Sequence, residues 1–142
     1  MNVYLYLSKT LGDELTERGK IEKIFGEPIG EYQDTPVIFS AGSLEYKFWY
    51  CYTNTDISTR EWQDVWAQLD TAVIKLCKKG VDPKLLAVCV VYDLIPIKLP
   101  PQLIIFDGQG NINSREVDKV SIGGMERILC NKEENNNGSD ET

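Results

Sequence analysis

Apolar residues alternate along the opening of the chain, with Val3, Leu5 and Leu7 set against Tyr4 and Tyr6, and this period of two predicts a strand over Asn2–Leu7. A helix is expected next, between Asp13 and Phe25 with Thr16 as its cap. Ile21, Ile24 and Phe25 share a helical face there, and Gly26 then Pro28 end it. Pro36 leads into a short strand, Val37–Phe39, and Ala41-Gly42-Ser43 marks a turn and so a hairpin. From Leu44 to Thr53 the alternation is the clearest in the chain. Leu44, Tyr46, Phe48, Tyr50 and Tyr52 occupy one face of the expected strand, and Glu45, Lys47, Trp49, Cys51 and Thr53 the other.

The period then changes to that of a helix. Trp62, Val65, Trp66, Leu69, Ala72, Val73 and Leu76 recur at three- and four-residue intervals, an apolar stripe that has to pack against something flat. Ser58 and Glu61 have the capping-box spacing at its start; Lys75, Lys78, Lys79 and Gly80 complete its end. Asp82-Pro83 can begin a brief helical turn. The apolar run Leu85–Tyr92 reads as a central strand covered on both faces. Pro96, Pro100 and Pro101 mark a connection or an edge, Leu103–Phe106 a short strand, and Asp107-Gly108-Gln109-Gly110-Asn111 a turn. Ser114–Val120 reads as a short helix and Met125–Cys130 as a last strand or helical turn.

These elements describe an α+β domain over residues 1–130, with a mainly antiparallel sheet of about five strands and one long and one or two short helices packed on a face. A parallel α/β sheet is the alternative. Residues 131–142 carry no apolar side chain to offset ordering entropy, so a disordered acidic tail is expected there. The opening residues read as a strand and not as a signal peptide, and no apolar run is long enough to span a bilayer, so a cytoplasmic location is expected. Cys51, Cys77, Cys89 and Cys130 lie far apart among apolar neighbours, as reduced core thiols do.

The chain has no histidine, which removes Ser-His-Asp and Cys-His hydrolysis, paired-imidazole ribonuclease chemistry and His-ligated zinc hydrolysis together. Its 22 acidic residues supply carboxylate pairs of the kind a glycosidase needs, but no feature singles one pair out. The segment Gly12–Lys20 lacks the spacing and the Ser or Thr of a phosphate-binding loop. Gly108-Gln109-Gly110 has Asn113 where a dinucleotide fingerprint needs its third glycine. Asp107, Gln109, Asn111, Asn113 and Asp118 depart from a calcium loop at Ile112, where glycine is required. No metal or cofactor is expected, and the protein reads as a non-enzyme.

A net charge of −7 disfavours direct binding to nucleic acid and favours a basic protein partner. The candidate contact residues are Glu31 and Asp34 in a loop, Asp56 before the long helix, and Glu61, Asp64 and Asp70 on its polar side. A solvated surface is the plainer account of the same carboxylates. The tyrosine-rich strand face suits either a core beneath a helix or an exposed interface.

The run from Leu44 to Leu76, with its strand, capped turn and long helix, resembles the layout of small bacterial immunity proteins of polymorphic toxin systems. That resemblance implies a cytoplasmic acidic inhibitor that neutralises a toxin domain by direct binding. Two alternatives stand beside it: a phage or mobile-element protein that blocks a nucleic-acid-binding host enzyme by charge mimicry, and an enzyme that uses carboxylates without histidine.

Overall fold

In the computed structural model, residues 2–18, 25, 30–31, 35–54, 57–93, 100–123 and 125–128 are described. Strand β1 (Asn2–Leu7) runs straight into helix α1 (Lys9–Arg18) at Ser8. The carbonyl of Ser8 accepts from the Gly12 N–H at 2.8 Å and its hydroxyl accepts from the Ala87 N–H at 3.2 Å, so this one residue ends the strand and starts the helix. The helix therefore begins a turn earlier than the expected Asp13, and Thr16 lies inside it. Its buried pair is Leu11 and Leu15, four residues apart. Of the face expected farther on, Phe25 is buried against Tyr52 and Trp62, while Ile21, Ile24, Gly26 and Pro28 lie outside the described residues.

The remaining elements are β2 (Gly30–Glu31), β3 (Val37–Ala41), β4 (Leu44–Phe48), β5 (Tyr50–Asn54), α2 (Thr59–Lys78), a 3-10 turn (Pro83–Leu85), β6 (Ala87–Asp93), β7 (Gln102–Phe106), β8 (Ile112–Glu116), β9 (Lys119–Ile122) and β10 (Met125–Ile128). Every pairing among the described residues is antiparallel, which bears out the α+β class over the parallel alternative. The strands divide between two sheets. One has the order β2-β5-β1-β6-β7-β8 and the other β10-β9-β3-β4.

The larger sheet is the middle of three layers. Val3, Leu5 and Leu7 of β1 and Val88 and Val90 of β6 pack with Leu11, Leu15, Val65, Leu69, Ala72 and Val73 of the two helices. On the opposite face, Ala87, Cys89 and Leu103 pack with Val37, Phe39 and Phe48 of the smaller sheet, and Tyr6 closes edge-on against Phe39 and Phe48. This explains the unbroken apolar run of β6, which lies between β1 and β7 and is covered on both sides. Each aliphatic side chain so covered contributes about 1.5–3 kcal/mol.

The expected strand Leu44–Thr53 is two strands, broken at Trp49, whose N–H donates to the Leu7 carbonyl at 3.1 Å as the chain passes from the smaller sheet to the larger. The aromatic alternation continues through the break but serves two cores. Phe48 is buried between the sheets, and Tyr52 is buried under the helices. A second crossing occurs at Val117 and Asp118, whose N–H groups donate to Pro101 and Ser40 carbonyls, both at 2.9 Å. It separates β8 from β9, so the short helix expected over Ser114–Val120 is instead two strand segments. Residues 112–116 are all exposed, so this edge strand shows no apolar alternation. Met125–Ile128 is a strand, as one of the two expectations had it, while Cys130 and residues 131–142 lie outside the described residues.

The long helix matches its expected limits. The Ser58 hydroxyl accepts from the Glu61 N–H at 3.1 Å and the Glu61 carboxylate accepts from the Ser58 N–H at 2.9 Å, while Gly80 ends the element with φ of 97°.

Candidate functional site

Of the carboxylates singled out in the sequence, Glu61, Asp64 and Asp70 have described side chains, all three on α2. Glu31 lies in β2, its backbone opposite Tyr50 of β5; Asp34 and Asp56 lie outside the described residues. Glu61 is engaged in the capping box of α2. Asp70 follows it by nine residues, about two and a half helical turns, and so points from roughly the opposite flank, with exposed Asp64 between them. Arg60, Lys75 and Lys78 match these three acids in number on the same helix, which leaves its polar side electrically mixed. Lys75 also reaches across to Glu14 of α1 at 3.3 Å.

A different surface gathers residues from three segments of the chain. A groove of about 570 Å³ is lined on one wall by Ser43, Leu44, Glu45, Tyr46 and Lys47, and by Trp49 where the chain changes sheet. Its other wall consists of Ser8, Lys9 and Thr10 at the start of α1, with Lys84 and Leu85 of the 3-10 turn. Successive residues of a strand point to opposite faces, so a groove touched by four consecutive strand residues, Leu44 to Lys47, runs along the strand's edge. That edge belongs to β4, which ends its sheet and, among the described residues, pairs with β3 on one side alone.

The lining combines three lysines and one glutamate with apolar surface, on a chain whose net charge is −7. Leu85 is 55% exposed, and Leu44, Tyr46 and Trp49 are half-buried, so each has a face to offer. Lys9 pairs with Asp13 at 3.7 Å, with both side chains half in solvent, a contact of small worth. The first turn of α1 adds the positive end of a ten-residue helix. No sequence pattern marks this groove. Lys9, Lys47 and Lys84 are far apart in the chain and each sits in an unremarkable local context.

The other polar groups have local duties. The Asp107 carboxylate accepts from the Asn111 side chain and from the N–H groups of Gln109 and Asn111; these bonds, the side-chain one foremost, hold it below the ordinary carboxylate range. Asp118 accepts from the Gly42 N–H at 2.9 Å, so the oxygen-rich residues from Asp107 to Asp118 serve separate turns. Burial pushes the Cys51 thiol up to about 11 and Cys89 well above its ordinary value. Both are packed away from nucleophilic use. Tyr50 donates to Asp13, and Thr16 and Tyr52 share a hydrogen bond of 2.9 Å, which fastens α1 to β5.

No protein-family model, no curated protein and no solved structure matches this chain.

Proposed function

We propose that this chain is a protein-binding inhibitor of the immunity type, and that it holds its partner along the β4 edge. The observation that carries this reading is the groove beside an edge strand that, among the described residues, is paired on one side alone. Exposed main-chain donors and acceptors pair readily with an incoming strand, and proteins usually blunt such edges. β8, at the end of the larger sheet, carries exposed Asn113, Ser114, Arg115 and Glu116. The β4 edge differs in being recessed and bordered by Leu44, Tyr46, Trp49 and Leu85, an aromatic and apolar lining of the kind found at binding hot spots. The absence of histidine agrees with a role in which the chain does no proton transfer of its own.

The reading is tested by purifying the protein from its native cells with whatever it holds, then following amide exchange in the complex. A stoichiometric complex that survives moderate salt, slows exchange in β4, and contains a protein toxic when expressed alone supports it. A partner that leaves β4 exchanging as in the free protein, or that is harmless by itself, sinks it.

A further inference from the structure

The groove's chemistry goes further than an edge that can accept a strand. Resting on the reading just given, we infer that the occupant of the β4 groove is an extended acidic segment of the partner, with carboxylates alternating with apolar side chains. Three observations converge on it. The wall formed by Leu44 to Lys47, four consecutive residues of β4, is a strand edge, so the occupant that uses its main chain is itself extended. Among the described residues that line the groove, Lys47 of the strand and Lys9 and Lys84 of the other two segments supply three cations and Glu45 one anion, while Asp13 pairs with Lys9. Trp49 and Leu85 supply an apolar patch within the same groove, half-buried in one case and 55% exposed in the other.

An extended segment shows alternate residues to opposite sides. One set can therefore meet the lysines while the other meets Trp49 and Leu85. A basic partner, the expectation from net charge, is steered by the acidic surface as a whole; at the groove itself the local charge selects the opposite sign.

The test is selection of a random octapeptide display library on the full chain and, in parallel, on the Lys47→Glu/Lys84→Glu variant, with thermal melts confirming that both are folded. On the unmodified protein, enriched peptides are expected to carry acidic residues at alternating positions. A synthetic copy is expected to quench or shift Trp49 fluorescence and to slow β4 amide exchange. It should bind the charge-reversed variant about tenfold more weakly or worse, as two exposed charge pairs predict. N-methylation of its backbone should abolish binding. Enriched peptides that slow β4 exchange but show no acidic excess overturn the acidic occupant and leave the edge reading standing. Peptides that bind without touching β4, or no enrichment at all, overturn both. Displacement of the peptide by millimolar inorganic phosphate or by a single-stranded oligonucleotide, with no loss on N-methylation, overturns the strand and marks a general anion site.

Discussion

The ring of Tyr50 lies directly on the α-carbon of Gly12: a methyl group added there would stand 2.1 Å from Cδ2 and 2.8 Å from Cγ of the ring. Replacing a glycine within a helix by alanine ordinarily stabilises by about 1 kcal/mol. Here the clash involves the root of an aromatic side chain that β5 and the Asp13 hydrogen bond hold in place. Gly12→Ala is therefore expected to destabilise by about 1–3 kcal/mol in urea unfolding. In a Tyr50→Ala background the same change should turn neutral or stabilising, and a gain in stability from Gly12→Ala alone would contradict the packing.

The capping box of α2 separates two roles for its acids. Ser58→Ala removes the acceptor for the Glu61 N–H and should cost about 1 kcal/mol. Glu61→Gln keeps an oxygen for the Ser58 N–H and should cost much less. Asp64→Asn, on the exposed crest of the helix, should change stability by less than about 0.5 kcal/mol. Chemical denaturation of the three variants checks the order. An Asp64 effect as large as that of Ser58 would give Asp64 a structural duty that its exposure does not explain.

Asp107 makes the turn after β7 sensitive to acid. Its carboxyl is held below the ordinary value of 3.8, so its contribution to folding is complete above the unfolded carboxylate range and is lost as pH falls through the folded value. In NMR titration the Asp107 carboxyl should reach its midpoint below 3.8. The Asp107→Asn variant should show a flatter dependence of stability on pH below about 4. A titration at or above the ordinary value would contradict the three hydrogen bonds assigned to it.

Thiol labelling tests the core between the sheets, where Cys51 and Cys89 both lie opposite Tyr6. At pH 8, Cys51 and Cys89 should resist an aromatic disulfide reagent in the native protein and react only on unfolding, because burial disfavours both thiolates. Cys77 is half-exposed beside Gly108. It should label in the folded state but slowly, since desolvation and then the neighbouring Asp107 and Asp82 raise its pKa. Mass mapping of the labelled peptides distinguishes the sites. Rapid native labelling of Cys89 would mean that the two sheets separate readily.

Much of this architecture was legible from local pattern. The limits of α2 follow from Ser58, Glu61 and Gly80 because caps and left-handed stops depend on a few adjacent residues. β1 and β6 follow from alternation in one case and an unbroken apolar run in the other. The start of α1 is not legible in the same way, because Gly12 admits the Tyr50 ring and no neighbour in sequence discloses that contact. β8 carries no strand signal because an edge strand with every side chain in solvent has no apolar rhythm, and pairing with β7 decides its state.

By itself the sequence determined the class of the fold, the periodic elements, the excess of negative charge and the lack of an imidazole. Which layer each strand joins was left to tertiary structure. A period of two is identical whether a strand is covered by helices or by another sheet, so the alternation running through Trp49 contains no sign that Phe48 and Tyr52 enter different cores. The groove has the same origin. Lys9, Lys47 and Lys84 come to line one groove only when α1, the β4 edge and the 3-10 turn pack together, and that encounter depends on how the two sheets stack.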